Sequence, residues 1–500
     1  MSRSRIPALL LLAVAAWHVS VFASVALSRL TYPFEVEALE GLTIDYARTL
    51  AAGGNLYAPP SLHFAPNWYP PLQYAVSLPF LWLSGWQLWG ARLVSIASTL
   101  GAVAIGIRML RRAGASGAAI FAAIAIVFAY YPVTWYWYDV ARVDSLAVFF
   151  TVAGLAVLTR DGAQPTPKAL TLGAALLAAG MFTKQTTVVV GLAVLAFFAV
   201  ERDRRRFLRL LGLFAALGAA GWALLLLFYG RDAFIIYWAP RHHFRNIPVG
   251  TRRFAEFAWT MLPLVALAVA GARGLAGTPR GRMLRLFLFA FVASAGLGWL
   301  TMCKHGGERN SSMPALFTLA FCVGLGYDGI VRDTARRGLA LAAGLAAFLV
   351  LAFASDPLAW IPTPLDRQEA AEILADMRAQ PGPFLAYNAS FVSTVMRGDM
   401  YPSRDRLYDW AGGQNQESHL RPDPARYPSD FLAAIRERRF ATIYTDAGDP
   451  QGDYAQSVIA AHYQPVKAWE ATLPAEGDAP RWKSALPRVK WVAKDEPAQR

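Results

Sequence analysis

Five groups of residues have types and spacings that could do chemistry. The first is Phe34-Glu35-Val36-Glu37-Ala38-Leu39-Glu40-Gly41. On a helix, Glu37 and Glu40 would share one face at i,i+3. Carboxylates beside a membrane suit general-base work or the holding of a divalent metal ion. The competing reading is a solvated loop that happens to be acidic. The second group is Asp139-Val140-Ala141-Arg142-Val143-Asp144-Ser145, in which Asp144 opens an apolar run. An ionisable residue entering a membrane segment marks a functional site by default, although an aspartate at a helix N-terminus is also explained by the helix dipole.

The third group, Thr183-Lys184-Gln185-Thr186, interrupts two apolar runs. Lys184 either snorkels to the surface or neutralises a phosphate. The fourth is Arg241-His242-His243-Phe244-Arg245, and the fifth is the stretch from Lys304 to Arg309 and Asn310. Cations facing acidic loops suit an anionic lipid head group such as a phosphate; contact with ordinary anionic phospholipid is the alternative. The adjacent histidines lack the i,i+4 helical spacing of a zinc motif. No phosphate-cradling loop, dinucleotide fingerprint or serine-nucleophile elbow occurs in a fitting context.

The elements that must position these groups are membrane helices. Of the 500 residues 55% are hydrophobic and only 16% charged, against about 25% in soluble domains, and the mean hydropathy is +0.33. A first apolar run covers about 6–27, and further spans are expected near 91–110, 117–137, 141–159, 169–183, 184–200, 207–229, 254–271, 283–302, 312–330 and 337–355, about eleven in all. The aromatic segment 71–89 is expected to lie at the membrane surface. The net charge of +14 is then accounted for without nucleic acid. With the N-terminus cytoplasmic, the clusters around Arg111, Arg160, Arg205, Arg282 and Arg336 all fall on the inside, as the positive-inside rule asks. All five chemical groups fall outside. The fold class is an all-α polytopic membrane bundle over 1–355, with 29–89 as first outer loop. A small C-terminal α/β soluble domain over 356–500 follows. Its strands are expected at 384–387 and 440–444 and its helices at 367–378 and 428–438.

In order, these features resemble the GT-C class of membrane glycosyltransferases, such as the protein O-mannosyltransferases and the bacterial aminoarabinose transferases of lipid A. The resemblance covers about residues 1–330. It rests on the acidic first loop, Gly53-Gly54-Asn55-Leu56-Tyr57, Trp68-Tyr69-Pro70-Pro71-Leu72-Gln73-Tyr74, Ala91-Arg92-Leu93-Val94-Ser95, Ala141-Arg142-Val143-Asp144-Ser145-Leu146 and Phe182-Thr183-Lys184-Gln185-Thr186. It implies that Glu37 or Glu40 is the catalytic base or a metal ligand and that Asp144, or else Asp139, is the second acid. It also implies that Lys184, Lys304 and Arg309 lie near the donor phosphate; Ser311 stands where the class usually has tyrosine. The expected reaction moves a sugar from a polyprenyl-phosphate donor to a glycan, lipid or protein acceptor, outside a bacterial cytoplasmic membrane. The rival readings are a transporter or lipid flippase, and a non-catalytic cell-envelope scaffold.

Overall fold

The computed structural model describes residues 5–236, 246–304, 306–331, 335–411, 423–446, 453–469 and 486–494. The first two-thirds of the chain is helical: α1 (Ile6–Leu30), α2 (Gly41–Ala51), α3 (Leu72–Leu83), α4 (Leu88–Arg112), α5 (Gly117–Ala129), α6 (Val143–Leu158), α7 (Pro167–Thr183), α8 (Val188–Val200), α9 (Arg204–Tyr229), α10 (Ile247–Ala258), α11 (Met261–Gly274), α12 (Pro279–Met302), α13 (Met313–Ile330) and α14 (Ala335–Ala352). Several helices begin, at the basic end of the bundle, with a side-chain cap. Ser116, Thr166, Asp203 and Thr278 each accept the backbone N–H three residues on, and proline opens α7 and α12. These caps satisfy amides that have no partner inside the helix.

Five helices are long and apolar enough to cross a membrane: Ile6–Leu30, Leu88–Arg112, Arg204–Phe234 (with its 3-10 extension), Pro279–Met302 and Arg309–Ile330. Helices α10 and α11, bent by 64° at their junction, make a sixth if they act together. Others expected to span are shorter. Helix α7, with 17 residues, reaches only about 25 Å at the helical rise, against about 30 Å of hydrocarbon. Length and hydropathy therefore support five or six spans among the described residues rather than eleven. The segment expected to span 117–137 stops at Ala129, where Trp135 and Tyr136 take left-handed φ angles of 57°. The chain from Tyr130 to Arg142 turns back and brings Asp139 and Arg142 to the end of the bundle. The aromatic segment 71–89 is a short helix, α3, followed by a break at Trp86 (φ 65°). Where helices touch closely, glycine permits it: a Cβ on Gly271 of α11 would sit 2.4 Å from the Gly326 Cα of α13.

After α14 the chain forms α15 (Pro364–Arg378), β1 (Phe384–Ala386), α16 (Ser390–Arg397), α17 (Arg404–Trp410), α18 (Ser429–Arg436), β2 (Thr442–Thr445), α19 (Tyr454–His462), β3 (Tyr463–Ala468) and β4 (Val489–Ala493). The sheet has the order β1-β2-β4-β3, with β1 parallel to β2 and the other pairs antiparallel. Side chains alternate across it, as the period of a strand requires. Leu385 and Ile443 pack with Phe431 and Ile459 on one face. Phe384, Ala386 and Tyr444 face the other way, into a core shared with Tyr32, Phe34, Leu42 and Ile44 of the first outer loop. That loop and the C-terminal region are thus built around one apolar core.

Candidate functional site

The site lies at the end of the bundle where α6 begins and α7 ends. Its frame is Arg92, in the second turn of α4. Its guanidinium donates from Nε and Nη2 to the two carboxylate oxygens of Glu40 (3.0 and 2.7 Å) and to the carbonyls of Arg29, Tyr32 and Phe34 (2.6–2.7 Å). Glu40 also accepts the amides of Val36 and Ala141 (2.8 and 2.7 Å). Both side chains are almost completely buried. Burial opposes ionisation of Glu40, yet Arg92 and these hydrogen bonds hold its pKa below the usual carboxylate value. Arg29 is a second strut, donating to the carbonyls of Trp360 and Tyr136 and pairing with Asp139 at 3.5 Å. Asp139 accepts in addition from the Tyr131 hydroxyl. Glu40 and Asp139 are therefore tied into the scaffold.

Glu37 is placed differently. Its Oε2 accepts from Arg142 Nη1 at 2.8 Å and from the Leu39 amide at 3.1 Å, and its side chain keeps 13% exposure. Burial raises its pKa and Arg142 opposes the rise. Arg142, the residue capping α6, lies over the Trp137 and Tyr69 rings at 5.3 and 5.9 Å. Two residues on, Asp144 accepts from Lys184 Nζ at 2.6 Å and from Asn310 Nδ2 at 2.9 Å, while its other oxygen, Oδ2, is buried without a hydrogen bond. Lys184 can reach it because the residue is extended between α7 and the 3-10 turn that leads into α8. The Tyr69 hydroxyl lies among these cations. Burial opposes its ionisation, but Arg142 and Lys184 hold its pKa below the ordinary tyrosine value. Burial in turn lowers the pKa of Lys304, in the field of Tyr69, Asp409, Lys184 and Arg406.

Of the residues singled out in the sequence, Glu37, Arg142, Asp144, Lys184 and Lys304 come together. Glu40 and Asp139 stand behind them as framework. Arg309 does not join the cluster: it pairs with Glu256 and lies over Trp135 and Phe257, beside a separate small cavity. Its neighbour Asn310 makes the contact instead. Arg241, His242 and His243 lie outside the described residues. The sequence assigns no role to Arg92, although its motif belongs to the resemblance, and does not single out Arg406. Arg92 carried a signal, a charge inside an apolar run. Arg406 carried none: it comes from α17 and stacks on Trp68 at 4.3 Å, nearly fully buried. It lines a narrow void of about 10 Å³ with Tyr69, Tyr46, Thr43 and Arg142.

The acidic side chains of the first outer loop are engaged: Glu37 is in an ion pair with Arg142, Glu35 accepts the Gly41 amide at 2.6 Å, and Glu40 accepts from Arg92 and two backbone amides. No group of three or more His, Cys, Asp or Glu side chains converges among the described residues.

No family model matches the chain, and no curated protein matches it. Solved structures do. Over 96% of this chain and 98% of the other, it superposes on ArnT from Cupriavidus metallidurans bound to undecaprenyl phosphate, with a TM-score of 0.59 at 14% identity. The apo state of that protein gives 0.58 over 95% and 97%, again at 14% identity. The architecture is the GT-C fold expected from the sequence.

Proposed function

Given a GT-C fold with a cation-lined carboxylate at one end of its bundle, we propose that this protein is a glycosyltransferase. It moves a sugar from a polyprenyl-phosphate donor to a hydroxyl or amine acceptor. The observation that carries this reading is the juxtaposition of Glu37 with Arg142, Lys184, Tyr69 and Lys304 at one end of an apolar bundle. A lipid phosphate needs fixed positive charge at its head and apolar surface along its tail. Undecaprenyl phosphate bound to the ArnT structure supports a donor of this kind.

In this mechanism the acceptor oxygen or nitrogen attacks the anomeric carbon while Glu37 takes its proton. The bond from that carbon to the phosphate oxygen breaks, and the electron pair leaves with the phosphate. Lys184 and Arg142 stabilise the charge that develops there, and Lys304 adds to their field. Proton transfer to a placed base contributes typically about 10²–10⁴-fold. Asp144 positions Lys184, and Glu40 positions the loop that carries Glu37. The reading places the site outside a bacterial cytoplasmic membrane, with the N-terminus inside. The shorter apolar helices complete about eleven crossings, some in locally thinned bilayer. The acceptor is a glycan, lipid or protein.

The test is a screen of polyprenyl-phosphate sugars against the protein in lipid nanodiscs, reading released polyprenyl phosphate by mass spectrometry. Release that is lost in Glu37→Gln, with folding retained, supports the reading. Absence of release across the panel, with membrane extract as acceptor source, overturns it.

A further inference from the structure

A large cavity lies well away from Glu37. It encloses about 1140 Å³ at the opposite, basic end of the bundle. Helix α6 connects the two places: Asp144 stands in its first turn, and Arg160 lies just beyond its last residue, Leu158. At the usual rise, the 16 residues of α6 separate them by about 24 Å. One face of each surrounding helix builds the walls. Phe149, Ala153 and Ala156 recur at helical spacing on α6, Ile105 and Met109 on α4, and Leu172 and Leu176 on α7.

The mouth is basic. Arg108, Arg112, Arg160 and Lys168 all line it and are exposed, and none makes an ion pair among the described residues. Asp161 at the same rim offsets one of the four. Arg280 also reaches the cleft but is engaged, with Asp328 at 2.9 Å and the Leu325 carbonyl at 2.8 Å. An apolar cleft with uncompensated cations at its rim calls for a ligand with a long apolar body and an anionic head. Its volume exceeds the roughly 300–1,000 Å³ of small-molecule sites, so a free phosphate leaves it largely unfilled. Basic pockets between membrane helices are where acidic lipid head groups bind.

We infer that this cleft is a second lipid site, which holds an anionic glycerophospholipid. The phosphate lies among Arg108, Arg112, Arg160 and Lys168, and the acyl chains lie against the α4, α6 and α7 faces. The inference is independent of the chemistry at Glu37. A lipid held here joins α4, α6 and α7, the last two of which carry Asp144 and Lys184 at their far ends.

The test is native mass spectrometry of the full-length protein in detergent. Phosphatidylglycerol, phosphatidylcholine and a polyprenyl phosphate are titrated separately and in competition. Phosphatidylglycerol is expected to bind more tightly than phosphatidylcholine. Removing two rim charges in Arg160→Gln/Lys168→Gln is expected to weaken it about thirtyfold, from about 1 kcal/mol per charge. Ala156→Phe fills the cleft without touching its charge and is expected to weaken phosphatidylglycerol as well, which surface attraction alone does not explain. The exposed rim variants keep the test decisive if the filled variant folds poorly. Equal affinity for the two phospholipids, or unchanged binding in the rim variant, overturns the site. Preferential displacement by polyprenyl phosphate overturns the phospholipid assignment and gives the cleft to the carrier lipid.

Discussion

Replacing Arg92 and Glu40, singly and together, tests whether Glu40 belongs to the framework. The Arg92 guanidinium makes five short hydrogen bonds, two to Glu40 and three to backbone carbonyls. Arg92→Met leaves a buried carboxylate with two amide partners and takes the guanidinium from the Tyr32 and Phe34 carbonyls, while the Arg29 carbonyl keeps the Tyr32 amide. Breaking such a pair from one side costs ~3–5 kcal/mol, because an uncompensated charge stays buried. Glu40→Gln leaves the guanidinium equally uncompensated, and its cost falls in the same range. The double variant removes both charges, so it is expected to cost at least ~2 kcal/mol less than the sum of the singles. Arg92→Lys is not conservative here, since an ammonium has three donors where five are used. The assay is unfolding in mixed micelles with increasing dodecyl sulfate, followed by tryptophan fluorescence. Additive single costs, or singles within ~0.5 kcal/mol of the parent, refute the reasoning and return Glu40 to the candidates for the base.

Three further predictions concern the site and the outer loop. Because burial raises the pKa of Glu37, and a base acts only when ionised, the acid limb of kcat/KM is expected above the ordinary carboxylate range. Arg142→Gln should move it higher still; a pH profile in which the limb stays put contradicts the pairing. Burial lifts the pKa of Asp45, which meets Ser390 of α16 at 3.3 Å, to about 7. The folded state then holds a proton that the unfolded chain has released. Stability is therefore greatest below the unfolded value near 4 and falls as pH rises to about 7, by at most about 4 kcal/mol. Hydrogen exchange in α16 should show this slope, and Asp45→Asn should abolish it. Finally, Arg406→Gln is expected to raise KM for the lipid donor more than it lowers kcat. A variant with unchanged steady-state constants removes α17 from the site.

The sequence by itself determined the helical bundle and the approximate extent of most of its helices, because a long apolar run without charge has few alternatives to a buried helix. It also determined the acidic loop, the strands near 384–387 and 440–444, and several cation positions, since each rests on composition and spacing within one segment. Only the tertiary structure separated Glu37 from Glu40. The two are three residues apart and chemically identical; what distinguishes them is Arg92 and the Ala141 amide, which come from 52 and 101 positions away. The same holds for Lys184 on Asp144, for Asn310 in place of Arg309, and for Arg406 arriving from α17. The early end of α5 depended likewise on turns at Trp135 and Tyr136 that hydropathy does not register. Hydrophobic burial acts on segments and can be read locally. The state of a buried charge depends on which partner the fold brings within about 3 Å, and that is decided across the whole chain.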